Sequence, residues 1–148
     1  MKKASLIPVL AVGAVLGFSA QAFAAEQVVN VTTNNSDDLT RMGLFVTPAV
    51  VKAGKVRIHL DNQSTSLPHE AIVVKLTPEQ AQNPMALPYD DSIERVPEDQ
   101  IMSAGEVAET EQGKSGDTVL DLQPGMYEVM CNIEGHYGAG MHALLTVK

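Results

Sequence analysis

The sequence predicts an all-β chain folded as a Greek-key β-sandwich. Short β-branched runs recur along the chain, and Gly, Pro and Asn turns separate them. One run also alternates strictly between apolar and polar positions. At 148 residues, 45% hydrophobic and 19% charged, the chain has material for one core and not for a two-domain enzyme.

Taken in order, residues 1–24 carry the marks of an export signal. Met1-Lys2-Lys3 is a positive start, Leu6 to Phe18 an apolar run, and Ala22-Phe23-Ala24 a small-residue cleavage site. The apolar run is too short to span a bilayer, and no cysteine follows it to take a lipid. Cleavage after Ala24 removes 24 of 148 residues and leaves a single domain of 124, residues 25–148, with no membrane anchor.

Gln27 to Thr33 reads as the first strand, because Val28, Val29, Val31, Thr32 and Thr33 supply β-branched residues. Leu44-Phe45-Val46 is a short second run, stopped by Pro48. After the Ala53-Gly54 turn, Lys55 to Leu60 alternates, with Val56, Ile58 and Leu60 on the buried face and His59 on the solvated one. Asp61 to Ser66 is a polar turn, and Ala71 to Leu76 is a further β-branched run directly after Leu67-Pro68-His69-Glu70. Near the C-terminus, Thr118 to Leu122, Met126 to Cys131 and Ala143 to Val147 read as strands, the first two separated by the Gln123-Pro124-Gly125 turn.

Residues 77–112 break the pattern. Thr77-Pro78-Glu79 resembles a helix start, with a Thr cap and Pro in the first position. Glu79, Asp90, Asp91, Glu94, Glu98, Asp99, Glu106, Glu109 and Glu111 stand there against Arg95 alone, a local net charge of −8. The segment is expected to be a partly helical insertion between strands, folded over the sandwich edge.

Two of the ten basic residues, Lys2 and Lys3, lie in the leader, so eight basic against eighteen acidic residues leave the domain at −10. That balance argues against nucleic acid or an anionic membrane surface as partner and suits a basic protein. Three Tyr, three Phe and no Trp offer no stacking platform for sugars or bases. The single Cys131 cannot form an intramolecular disulfide in an oxidising compartment. It is therefore buried and inert, paired with another chain, or held by a metal.

Cys131, His136 and Met141 share one loop with the spacing C-x4-H-x4-M. Taken singly, each has a plainer explanation: Met141 as core packing, His136 as a turn residue, Cys131 as a small buried hydrophobe. Together, a thiolate, an imidazole and a thioether in one Gly-rich turn between two strands form a ligand set suited to copper. Gly135, Gly138 and Gly140 allow the tight fold-back that convergence requires. A trigonal site needs one more imidazole, and His69, on the turn before a strand, offers it. His142 follows Met141 and should turn away from the metal.

The stretch Pro124-Gly125-Met126-Tyr127-Glu128-Val129-Met130-Cys131-Asn132-Ile133-Glu134-Gly135-His136, followed by Gly140-Met141 and a terminal strand, resembles the type 1 (blue) copper proteins, the cupredoxins. The two five-residue steps are most similar to the rusticyanin and sulfocyanin type. Upstream, Gly54-Lys55-Val56, Asp61-Asn62 and His69-Glu70 resemble the strand and turn that lead to the family's first copper histidine. The likeness covers roughly residues 44–76 and 117–148 and not the acidic insertion.

Carried over, it implies His69, Cys131 and His136 as trigonal ligands of one copper ion and Met141 as the long axial ligand. Several family members place Asn or Ser after the first histidine. Glu70 stands there in this chain, and the sequence leaves open whether it faces the site or solvent.

The resemblance implies a periplasmic, monomeric one-electron carrier rather than an enzyme. Its partner would be a redox protein of basic character, a cytochrome or an oxidase, with transfer through His136. The alternative is copper binding for tolerance or delivery. Such proteins often carry exposed Met- and His-rich tracts, whereas Met42, Met85, Met102, Met126, Met130 and Met141 are scattered here. A Cys131/His136 nucleophile pair lacks an evident orienting third residue. Four histidines are too few for a second copper centre.

Overall fold

The computed structural model describes residues 26–34, 38–83 and 87–148. The expected leader at 1–24 lies outside the described residues. In chain order the strands are β1 (Gln27–Thr33), β2 (Leu44–Thr47), β3 (Val50–Val51), β4 (Gly54–Asp61), β5 (His69–Lys75), β6 (Ser103–Thr110), β7 (Ser115–Leu122), β8 (Gly125–Met130) and β9 (His142–Val147). They form a four-stranded sheet, β2-β1-β4-β7, and a five-stranded sheet, β3-β9-β8-β5-β6. The β1–β4 and β3–β9 pairs are parallel, and the other pairs are antiparallel.

The two sheets close on one apolar core, as the alternation in their strands requires. Val29, Val31, Val56, Ile58 and Leu60 from one sheet meet Ala71, Val73, Val129 and Leu145 from the other, all fully buried. This is the β-sandwich that the sequence predicts, and Val56, Ile58 and Leu60 lie on the predicted face.

The acidic segment differs from its expectation in two ways. Ser103–Thr110 is a strand, the edge of the five-stranded sheet, paired with β5 through two register shifts. The helical content of the segment reduces to two single 3-10 turns, Gln80–Gln82 and Glu98–Gln100. The segment therefore supplies an edge rather than folding over one. β6 in turn lies against β7 of the facing sheet, with a glycine on each strand at the close approach. A Cβ on Gly105 would stand 2.5 Å from Leu120 Cδ2, and one on Gly116 2.7 Å from Val107 Cγ1.

The remainder of the segment covers the outer face of the five-stranded sheet. Leu76, Leu87 and Val96 pack there on Ile72 and Val74 of β5, on Met130 and on Tyr137, forming a second apolar cluster. Because this sheet is covered on both faces, β5 reads as a nearly continuous apolar run rather than an alternating one. Among the described residues, no helix is long and apolar enough to cross a membrane.

Candidate metal centre

Strand order brings two distant parts of the chain together. β5, β8 and β9 are neighbours in one sheet, and β5 and β9 both run antiparallel to β8. His69 is the first residue of β5, Cys131 directly follows β8, and Met141 directly precedes β9. All three therefore lie at the same end of the sandwich, and the loop between β8 and β9 carries His136.

Donor atoms of His69, Cys131 and His136 all lie within 4.8 Å of one another. Cys131 Sγ stands 3.7 Å from His69 Nδ1 and 3.3 Å from His136 Nδ1. The two imidazole rings are 4.9 Å apart at their centroids and tilted by 48°. Both histidines are buried, His136 at 4% exposure lying nearer the surface than His69 at 1%.

Met141 is also fully buried, in the same core cluster as Cys131. Its backbone ties the loop closed: Met141 N–H donates to the His136 carbonyl at 3.1 Å, and Cys131 N–H donates to the Met141 carbonyl at 3.0 Å. Further turns inside the loop run from His136 N–H to the Ile133 carbonyl and from Ala139 N–H to the Gly135 carbonyl, both 2.9 Å. Gly135 has φ +80° and Gly140 φ +95°, a backbone region that glycine enters without a Cβ penalty.

Burial sets the electrostatics. It pushes the Cys131 thiol up to about 11, and hydrogen bonds from the backbone N–H groups of Glu70 and Ile133 only partly oppose it. Burial, followed by the nearby Arg95 charge, holds the His136 imidazole below its usual value, so the neutral ring is favoured. A neutral imidazole and a thiol that must lose its proton to bind are a soft N/S donor set.

Glu70 resolves to the site side. Its Oε1 accepts the Asn132 backbone N–H at 3.0 Å, directly after Cys131. Its carboxyl lies above the ordinary value, chiefly through burial. The Asn132 bond opposes that shift, and Glu106, Glu109 and Glu98 add to it. Because the Glu70 contact to sulfur is a backbone one, the side-chain departure at this position leaves that donor in place.

The other two histidines stay apart from the cluster. His59 is half-buried on the outer face of β4, its Nδ1 2.9 Å from Asp117 Oδ1. His142 turns to Glu128, 2.7 Å away.

Sequence reasoning missed two supporting residues. Asn132 holds the acidic segment through its side chain, accepting from Val96 N–H at 2.8 Å and donating to the Val96 carbonyl at 2.9 Å. Glu128 is 1% exposed in the middle of β8. The available signal was a carboxylate within the otherwise apolar run Met126 to Cys131.

Comparison with known proteins agrees with this geometry. A family model described as the sulfocyanin (SoxE) domain matches residues 21–148. Among solved structures, reduced auracyanin from the photosynthetic bacterium Roseiflexus castenholzii is 21% identical, covering 84% of this chain and 98% of its own, with a TM-score of 0.57. Auracyanin A, a "blue" copper protein from Chloroflexus aurantiacus, is 20% identical, covering 82% of this chain and 98% of its own, with a TM-score of 0.54. Reduced rusticyanin is 19% identical, covering 84% of this chain and 82% of its own, with a TM-score of 0.53. At these identities the likeness is one of fold. No curated protein sequence matches the chain.

Proposed function

The chain belongs to the sulfocyanin domain family of cupredoxins, and from that premise we propose that it is an exported type 1 copper protein carrying single electrons between redox partners. In this reading His69, Cys131 and His136 would hold one copper ion, with the Met141 thioether as a further, weaker donor. The observation that carries it is the buried cluster of one thiol and two imidazoles, with donor atoms within 4.8 Å of one another, at one end of the sandwich. Two imidazoles and a thiolate suit both copper oxidation states, and a thioether adds a further, weak donor.

Bound there, copper would supply the one-electron Cu(I)/Cu(II) couple. The protein's own part is to hold the donors still and dry. His69 is fixed by β5, Cys131 by the end of β8, and the loop's internal hydrogen bonds hold His136 against Met141. A site that cannot relax far between oxidation states has little to reorganise when an electron moves, which is what a carrier requires. Export follows from the signal-like residues 1–24, and residues 25–148 form the mature domain in this reading.

The test is the visible absorption and paramagnetic resonance spectrum of the copper-loaded protein. An intense band from thiolate-to-copper charge transfer is expected, and Cys131→Ser should abolish it. Met141→Leu should keep copper bound and raise the reduction potential, since an axial donor to Cu(II) is removed. A copper-loaded protein without that band refutes the reading. An unchanged potential in the Met141 variant removes Met141 from the ligand set.

A further inference from the structure

A carboxylate in the middle of a sheet covered on both faces is costly unless it is well bonded. Glu128 sits in β8 on the outer face of the five-stranded sheet, between Met126 and Met130, beneath the segment that covers that face. It is 1% exposed, and its Oε2 has no hydrogen-bond partner among the described residues.

Its Oε1 is engaged twice. The Tyr137 hydroxyl donates to it at 3.2 Å, and His142 Nδ1 stands 2.7 Å away. The Tyr137 and His142 rings also stack on each other, centroids 4.8 Å apart and inclined by 29°, so the three side chains close a triangle. Tyr137 directly follows His136 and His142 directly follows Met141, the two ligands that the β8–β9 loop contributes after Cys131.

We propose that Glu128 is a positioning residue that clamps the ligand loop to β8, fixing His136 and Met141 relative to Cys131 through its shared contacts with Tyr137 and His142. The backbone bonds within the loop set its local turns, and the outward bonds to its backbone (Asn132 N–H to Glu70 Oε1, Arg95 to the Asn132 carbonyl and Gly135 N–H to the Glu94 carbonyl) all fall in its first half. The Glu128 triangle adds a side-chain anchor on the face away from the metal cluster. It ties the loop's second half to a strand whose register is fixed by six pairs with β9. Groups behind metal ligands orient them in this way, and their loss typically weakens metal binding about 10–100-fold.

The inference rests on the copper reading, and the test separates the two. Glu128→Leu removes both contacts and keeps an apolar side chain of similar length, while Glu128→Gln keeps an acceptor for the Tyr137 hydroxyl. In the leucine variant copper should be released about tenfold faster or more, and its copper hyperfine splitting should change. In the metal-free leucine variant, amide exchange should accelerate at residues 137–142 and not in β4. The glutamine variant should stay near wild type.

A leucine variant with wild-type copper retention, spectrum and loop exchange overturns the clamp, as does a glutamine variant impaired to the same degree. If the leucine variant does not fold, Tyr137→Phe decides, because it deletes one hydroxyl and keeps the stacked ring. Faster loop exchange there supports the clamp, and unchanged exchange overturns it. A wild-type protein without a copper spectrum refutes the copper reading instead, and exchange in the metal-free protein then judges the clamp alone.

Discussion

In the copper reading the buried Cys131 is a thiol without metal and a thiolate with it, and that requirement can be counted in protons. Burial lifts the thiol to about 11, so it is protonated throughout the neutral range. His136 is shifted the other way, chiefly by burial and then by Arg95, and is already neutral there. Copper uptake at pH 7.5 should therefore release close to one proton from these two ligands, and affinity should rise with pH across the neutral range. Calorimetry in buffers of differing ionisation enthalpy measures this number, and a release near zero would show that the thiol does not bind as thiolate. The cluster of His69, Cys131 and His136 was legible from sequence because two of its members share one short loop, where spacing and chemistry are local. Glu70 was not, because its partner Asn132 lies 62 positions away and only the sheet brings them together.

At the scale of elements, one side chain makes several of the bonds that join the β8–β9 loop to the acidic segment. Asn132, 2% exposed, satisfies both the N–H and the carbonyl of Val96 and donates to Glu98 Oε1 at 3.2 Å, while Arg95 donates to the Asn132 carbonyl at 3.0 Å. Asn132→Ala would leave the Val96 backbone groups buried beside an apolar cluster without these partners. It should cost about 2–4 kcal/mol of unfolding free energy, from one to two unsatisfied groups. Urea denaturation with the metal absent measures it, and a loss under roughly 0.5 kcal/mol, the level of an ordinary surface substitution, would show that the junction contributes nothing. The strands flanking this junction were read correctly where apolar residues alternate or run together. β6 was not, because its buried residues are only Val107 and Thr110 among exposed, acidic neighbours, an edge strand whose pairing shifts register twice. β3 is only two residues long and follows the Pro48 break, too short for any periodicity to register.

For the whole molecule, the acidic residues are not spread evenly around the proposed copper end. Asp91, Glu94 and Glu134 line one open hollow with Ile93 and Arg95, so the acidic segment and the ligand loop share a surface. Asp91 and Glu94 also border a second hollow with Leu39, Tyr89, Gly135, Gly138 and Ala139. All three carboxylates belong to exposed residues, whereas Asp90 bonds Ser92 and Glu98 bonds Asn132, so those two are poor choices for neutralisation. The variant Asp91→Asn, Glu94→Gln, Glu134→Gln therefore removes field near the loop while sparing the bonds that hold the segment. If this face steers a basic redox partner, the association rate should fall about tenfold at low ionic strength. It should then converge on wild type near 1 M salt, where the screening length is only about 3 Å. Stopped-flow reduction by a basic cytochrome against salt concentration makes the comparison. Rates that match wild type at every salt concentration would place the encounter on another face, leaving this segment only its part as sheet edge and cover.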